Sequence, residues 1–470
     1  MSKLFNKVLI ANRGEIACRI IRTCKKLGIA TVAVYSDVDA DTPHVKMADE
    51  AYFLGSAIAK ESYLNLEKVL EVVIASGADA VHPGYGFLSE KSEFCRALNK
   101  IGVTFIGPSP EALDAFGDKM KARAVATRAN VEPPPGIDKP INVETHDEIV
   151  YAKEVANLIG YPIIVKAVGG GGGIGMQIVQ NEDGMEKALK SCAARGKASF
   201  SDPLVYIERY MASPRHIEVQ IFGDKHGNVY SLGDRECSLQ RRHQKIIEES
   251  PSPAWFFRGA DGAARRRALH EAAVRVVKQV GYHNAGTVEF IANDKGEMFF
   301  LEVNARIQVE HPVTEEVTGL DLIEWQLRVA AGEVLPENFG NQWPNGHSIE
   351  ARLYAEDPMK GFIPKPGTID VLTWPSEISV GKLRIDSGIE AGGKVTPYYD
   401  PMISKIITWG QNRDDALETM RNVLDGMQIS PCVTNREYLR AICDSQEFVS
   451  GQFDTKFAES FAKALSQTKK

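Results

Sequence analysis

The stretch YPIIVKAVGGGGGIGMQIVQ, residues 161–180, sets an apolar run ending in Lys166 directly before five glycines. Glycine takes positive φ freely and lets the backbone approach a ligand closely, so such a run beside a cation points to a phosphate. A P-loop needs Gly-Lys-Ser/Thr after its glycines, whereas here Gly175 is followed by Met176 and Gln177. Gly170, Gly172 and Gly175 match G-x-G-x-x-G literally. That dinucleotide fingerprint, however, must open a helix whose N-terminus meets the pyrophosphate. MQIVQ instead alternates like a short strand and stops at a turn-like Asn-Glu-Asp-Gly. The expected device is therefore strand, glycine loop, strand, a hairpin flap whose ordering entropy keeps it mobile until something binds. A glycine turn without a ligand is the plainer alternative, and Lys166 weighs against it. A Rossmann dehydrogenase is disfavoured by the strand that follows.

A chain of 470 residues holds two to four domain-sized units. With 44% hydrophobic and 25% charged residues it has the composition of an ordinary soluble globular protein. A net charge of −7 gives no case for generic nucleic-acid binding. Seven cysteines without a CxxC pair read as reduced thiols of a cytoplasmic protein. The first apolar stretch is broken by Asn12, Arg13 and Glu15, so it is neither a signal segment nor a membrane span.

Apolar runs KVLIA, ATVAVYS, ADAVHPG and VTFIGPS alternate with the helical patterns IACRIIRTCKKLG, YLNLEKVLEVVIASG and SEFCRALNKIG. Short links between strand and helix predict a parallel sheet with flanking helices. DKMKARAVATRANVEPPPG reads as a charged helix ending at three prolines, and from about residue 211 the pattern turns to strands. The expected division is an N-terminal unit over 1–113, a helical linker over 114–137, and a lid over 138–210. A core over 211–330, a C-terminal domain over 331–455 and a tail over 456–470, frayed at its last residues ALSQTKK, complete it.

GTVEFIANDKGEMFFLEVN, residues 286–304, reads as a hairpin turning at Asn293–Gly296. Glu302 and Asn304 share one face by strand alternation. Pairing Asn293 with Gly296 puts Glu289 diagonal to Glu302 on that face, at roughly 7–8 Å. Two acids and an amide among Phe, Val and Leu suit a hard, oxygen-seeking cation such as Mg²⁺ that itself holds phosphates; a solvated sheet face is the alternative. In ARIQVEHPVTEE that follows, Arg306, Gln308 and Glu310 share one parity, an anion site beside a potential general base. His311 breaks the parity and reads as structural. RECSLQRRHQKIIEES adds Arg241, Arg242, His243 and Lys245, either a solvated loop or a holder of an anionic substrate.

The ordered motifs ANRGEIA, HPGYGFLSE, GDK, VKAVGGGGGIGM, PRHIEVQ, RRHQKIIEE, EVNARIQVEHPVTE, EARLYAEDP and PYYDPMISK resemble biotin carboxylase over nearly the whole chain. The resemblance implies an ATP-grasp fold of mixed α/β and α+β class. It would have an N-terminal parallel-sheet domain, a glycine-flap lid and a C-terminal, mainly antiparallel-sheet domain. It implies a ligase that makes carboxyphosphate from ATP and bicarbonate, releases ADP, and passes the carboxyl group to N1′ of biotin. By motif, Lys119 and Lys166 hold ATP phosphates, and the flap at Gly169, Gly170, Gly171, Gly172 and Gly173 closes over them. Glu208 faces adenine, and His216 and His243 join the nucleotide-side set. Glu289, Glu302 and Asn304 match the ligands of Mg²⁺ or Mn²⁺. Lys245, Arg306, Gln308 and the Val309 backbone match the bicarbonate site. Glu310 matches the base for bicarbonate, and Arg352 the cation facing the biotin enolate. Two departures are Ile174, where the family loop often carries arginine, and Ala305, where NTR is common.

The biotin-bearing Ala-Met-Lys-Met of the family is not found, and Met120–Lys121 and Met359–Lys360 lack its setting. The expectation is a biotin carboxyl carrier protein as partner, with a carboxyltransferase subunit finishing an acyl-CoA or pyruvate carboxylation. A homodimer is also implied; Arg19 and Arg22 share a helix near such an interface, although solvated helix positions are the simpler reading for both. The competing readings are another ATP-grasp ligase that activates a substrate carboxylate, and a nucleotide-binding regulatory subunit. RRHQK with QVEHPVTE disfavours the first, and intact Lys245, Glu310 and Arg352 disfavour the second.

Overall fold

The structure is a computed structural model that describes residues 4–137, 139–169, 175–340 and 344–468. Strands β1 (Lys7–Ile10), β2 (Ala30–Ser36), β3 (Glu50–Gly55), β4 (Ala80–His82) and β5 (Thr104–Phe105) form a parallel sheet ordered β3-β2-β1-β4-β5. Leu9 enters one apolar cluster while Val8 and Ile10 enter another, since a strand covered on both faces buries both parities. Strand β3 was not expected from the sequence. Its EAYFLG mostly alternates half-buried with exposed residues at the sheet edge, which leaves little apolar signal.

The strand order reverses between β1 and β4, and in such sheets functional loops gather beyond the carboxyl ends at that point. Here the amide of Asn12 donates to the carbonyls of Pro83 and Tyr85, both at 2.7 Å. Gly84 between them has φ +61°, and a Cβ there would meet Asn12 Nδ2 at 2.8 Å. This turn presents Glu15 and Tyr85 to the rest of the molecule.

The lid contains β6 (Ile163–Ala167), β7 (Met176–Val179) and β8 (Val205–Arg209), antiparallel in the order β7-β6-β8. Lys166 pairs with Met176 on one side and Tyr206 on the other, so the chain resumes as a strand after the glycines. Gly170, Gly171, Gly172, Gly173 and Ile174 lie outside the described residues.

The largest sheet uses β9 (Arg215–Gly223), β10 (Val229–Arg241), β11 (Gln244–Ser250), β12 (Asn284–Ala292), β13 (Met298–Asn304), β14 (His347–Tyr354), β15 (Lys382–Ser387) and β16 (Met402–Gly410). It is antiparallel throughout, in the order β13-β12-β9-β10-β11-β14-β16-β15. The sheet runs unbroken across the boundary drawn at 330/331, because β11 pairs with β14, Glu248 opposite Glu350. RECSLQRRHQKIIEES is not a loop. It is the β10–β11 hairpin, turning at Arg242 and His243, which both have positive φ.

Two further expectations are corrected. The segment read as a tail contains the helix Phe457–Thr468, whose Ala458 and Ala462 join the core with Tyr438 and Phe453. Its apolar residues Phe457, Ala458, Phe461, Ala462 and Leu465 recur at helical spacing. Arg19 is not a solvated helix residue but is 6% exposed, with Nη2 at 2.8 Å from both Glu315 and Asp321. Arg22 is partly exposed and pairs with Asp386 at 2.5 Å. Among the described residues, no helix is long and apolar enough to cross a membrane.

Gly84→Ala is expected to destabilise the protein by about 1–3 kcal/mol, the usual range for a non-glycine residue forced into the left-handed region. A lower melting temperature, with Gly102→Ala at an open turn as the milder comparison, checks this.

Candidate active site

The β12–β13 hairpin is present with one change of register. Ala292 to Phe290 pair with Met298 to Phe300, but a bulge then shifts the ladder so that Glu289 stands directly opposite Glu302. The sequence reading had placed them diagonally. The extra residue at Leu301 brings the carboxylates onto directly paired positions of one face, where Cβ atoms stand about 4.5–5.5 Å apart. Burial, and then repulsion from Glu289, raises the pKa of Glu302. Among the described residues Glu302 has no hydrogen-bond donor. Burial also disfavours the charge on Glu289, but Lys245 and His216 outweigh it and hold this carboxyl well below the ordinary range. Asn304 donates to Glu289 at 2.8 Å. A carboxylate pair with one unsatisfied member, joined by an amide, fits a divalent cation with oxygen ligands.

Lys245 is the centre of the site. The tight β10–β11 turn sets it two residues beyond His243, on the inner face. Its ammonium reaches Glu218 at 2.5 Å, Glu310 at 2.6 Å and Glu289 at 3.0 Å, which uses all three donors. Burial lowers its pKa, but the carboxylates reverse this and leave it well above the ordinary lysine value.

Beneath it lies Arg235, wholly buried, which the sequence reading missed. It donates to Glu218 at 2.6 Å, Gln220 at 2.7 Å, Gln308 at 2.6 Å, Thr314 at 3.0 Å and Thr287 at 3.1 Å. Five contacts satisfy the guanidinium fork, so Arg235 is a frame and not a ligand. Glu218 was also missed, although alternation along HIEVQ sets His216, Glu218 and Gln220 on one face of β9.

Arg306, Gln308 and Glu310 meet here, but not through strand parity. Strand β13 ends at Asn304, and the chain loops before the helix His311–Thr318. Arg306 donates to Glu90 at 3.1 Å and to Asn304 at 2.9 Å, and Gln308 to Glu289 at 2.9 Å. Glu90 also accepts from the Ala305 amide at 3.2 Å. His311 is fully buried and structural, its Nδ1 at 2.7 Å from the Gln308 carbonyl.

Glu310 bonds Lys245 with one oxygen and Arg352 with the other, at 3.1 Å. Burial opposes its charge, but Lys245, Arg352 and Arg235 prevail and its pKa lies far below normal. Arg352 also abuts Glu248, whose pKa burial pushes up to about 7.

On the lid side, Glu208 is buried between Arg123 and Lys166. Lys119 begins the helix Lys119–Arg128, which Asp118 caps by accepting from the amides of Met120 and Lys121. Burial lowers the pKa of Lys119, with Glu302 opposing and Lys166 adding to the shift. It has no ion pair among the described residues. His216 sits 2.8 Å from Glu289, whose charge overcomes burial and raises its pKa. His243 is exposed in its turn and is not brought to the buried cluster.

Residues 4–113 match the family described as biotin carboxylase, N-terminal domain, and residues 350–460 the biotin carboxylase C-terminal domain. Residues 118–338 match the carbamoyl-phosphate synthase L chain, ATP binding domain. The chain is 46% identical to the propionyl-CoA carboxylase alpha chain of Ruegeria pomeroyi, covering 97% of this chain and 68% of that one. It spans 61% of the corresponding human mitochondrial chain, so these relatives extend well beyond the match. Biotin carboxylase 2 of Bacillus subtilis is 46% identical, with 97% of this chain and 99% of that one covered. Among solved structures, the biotin carboxylase domain dimer of Hydrogenobacter thermophilus 2-oxoglutarate carboxylase, in complex with MgADP, ADP and bicarbonate, has a TM-score of 0.90 at 42% identity. That match covers 97% of each chain. With this fold, these matches and an intact cluster around Lys245, the chain belongs to the biotin carboxylase family and is an ATP-dependent ligase of the ATP-grasp type.

Proposed function

We propose that this protein carboxylates biotin, presented on a carrier protein, at the expense of ATP and bicarbonate by way of carboxyphosphate. The observation that carries the reading is the Lys245 ammonium, shared by Glu310, Glu289 and Glu218 beside the Glu289–Glu302 pair. On this reading Glu310 serves as base, Lys245 as anion-binding cation and Glu289 with Glu302 as the metal-type carboxylate pair.

Lys119 and Lys166 supply positive charge for ATP phosphates. A Mg²⁺ or Mn²⁺ held by Glu289, Glu302 and Asn304 would neutralise phosphate charge during attack. Arg306, Gln308, the Val309 backbone and Lys245 bind bicarbonate. Its oxygen attacks the γ-phosphorus, the bond to the leaving ADP oxygen breaks, and the bicarbonate proton passes to Glu310.

In the resting state Glu310 is a weak base, because Lys245 and Arg352 stabilise its charge. Bicarbonate that draws the Lys245 ammonium to itself removes part of that stabilisation and raises the pKa of Glu310 towards a working base. On the same reading Arg352, which pairs with Glu310 at 3.1 Å, stabilises the oxygen of the biotin ureido group as negative charge develops there. The C–O bond of carboxyphosphate then breaks as its carboxyl carbon bonds to N1′ of biotin, the departing phosphate takes the N1′ proton, and the carboxylated carrier is the substrate of a carboxyltransferase. The family's relatives include carboxylases of acyl-CoA and 2-oxo acids, which is the class of reaction this product suits.

ADP release from MgATP is expected to depend on bicarbonate and to rise when biotin is added. Stimulation by some other carboxylic acid, with biotin inert, would replace this function with that of a different ligase. Glu310→Gln is expected to reduce turnover by about 10²–10⁴-fold, the usual range for a general base. Glu302→Gln is expected to shift the Mg²⁺ dependence of ADP release to higher concentration. The shift should be at least about 10–100-fold, the loss typical when even an outer-shell partner of a metal is removed.

A further inference from the structure

Three motifs have no role in the chemistry above: ANRGEIA, HPGYGFLSE before its final glutamate, and PYYDPMISK. They converge on one buried ammonium. Lys405, on β16, is wholly buried, and its Nζ lies 2.8 Å from the carbonyl oxygen of Val309. The same nitrogen is 3.2 Å from Glu15 Oε1 and 4.0 Å from Asp386 Oδ2. Strand register builds this row, since Lys405 is the ladder partner of Arg352 on one side and of Asp386 on the other. Glu15 lies in the first turn of the helix Gly14–Lys26 that follows β1, and Tyr85 from the turn after β4 donates its hydroxyl to the same Glu15 oxygen.

An ammonium taken wholly out of water is expensive, and a well-packed apolar side chain of similar length would usually serve stability as well or better. What the apolar side chain could not do is donate to Val309. The Val309 carbonyl belongs to the peptide linking the residue whose backbone is assigned to bicarbonate with Glu310. The preceding carbonyl, of Gln308, is held by the His311 ring at 2.7 Å. Two consecutive peptides of the anion loop are thus gripped, one locally by His311 and the other from a distant strand by Lys405, which Glu15 of the N-terminal unit pairs with.

We propose that Lys405 is a positioning residue for bicarbonate: it fixes the Val309 peptide plane and so the spacing of Gln308 and Glu310, with Glu15 as its counter-charge. This rests on the assignment of bicarbonate to that loop. Its consequence is selective. Among the described residues, none of those assigned to the nucleotide pairs with Lys405, so losing the grip should loosen bicarbonate more than ATP.

The test is the KM for bicarbonate and the KM for MgATP, with kcat, in Lys405→Met, Glu15→Gln and Gln308→Ala, each with its melting temperature. Lys405→Met is expected to raise the bicarbonate KM by about tenfold or more, equal to about 1.4 kcal/mol, while the MgATP KM changes less than about threefold on the same scale. Glu15→Gln should move the bicarbonate KM in the same direction by a smaller factor. If Gln308→Ala leaves the bicarbonate KM unchanged, the assignment of the anion loop itself falls. If Gln308→Ala raises it while folded Lys405→Met does not, the positioning role falls and the loop assignment stands. An equal rise in both KM values for Lys405→Met also overturns the proposal, as a general loss of packing would produce it. Should Lys405→Met not fold, Glu15→Gln decides alone, and an unchanged bicarbonate KM refutes the role.

Discussion

Everything at the site depends on the Lys245 ammonium and the three carboxylates it holds. Glu218 comes from β9, Glu289 from β12 and Glu310 from the loop after β13, and each is almost fully buried. Left to themselves they would repel or take up protons, and a buried charge deprived of its partner typically costs about 3–5 kcal/mol. One lysine, framed from below by Arg235, keeps them together and favours the charged forms of Glu289 and Glu310. The same arrangement makes the site responsive, because any anion that competes for Lys245 changes the basicity of Glu310.

The continuous antiparallel sheet explains how distant parts of the chain reach this point. Ladder pairing of β11 with β14 carries Arg352 alongside Glu310, and the next strand, β16, adds Lys405 under the anion loop. The parallel sheet contributes through the segments that leave its strands, where Glu90 after β4 meets Arg306 and Glu15, at the start of the helix after β1, meets Lys405. In the proposed chemistry, Lys119, Lys166 and Glu302 would serve the phosphates, Lys245, Arg306 and Gln308 the bicarbonate, and Arg352 the biotin ring.

Much of this was legible in the sequence, where the physics is local. Two-residue alternation in GTVEFIAN and EMFFLEVN located the paired acids, and the strand after the glycines excluded a strand-to-helix phosphate turn. Most of what failed required information that no local pattern contains. A one-residue bulge moved Glu289 from diagonal to directly opposite Glu302. Arg306, Gln308 and Glu310 do converge, yet through a loop that the assumed strand parity could not describe. Arg235, Glu218, Glu90 and Lys405 act by long-range pairing, so their neighbours in sequence give no hint of their partners. The helix Phe457–Thr468 had a readable apolar spacing, hidden by its polar end.

The measurement that bears most directly on the proposed chemistry is the fate of oxygen from bicarbonate. With ¹⁸O-labelled bicarbonate, MgATP and biotin, attack of a bicarbonate oxygen on the γ-phosphorus leaves that oxygen bonded to phosphorus when the carboxyl group departs. Released phosphate carrying one ¹⁸O, in proportion to the label in bicarbonate, is the expected result. Unlabelled phosphate at the same turnover would mean that water attacks ATP, and that Lys245 and Glu310 do not activate bicarbonate as a nucleophile.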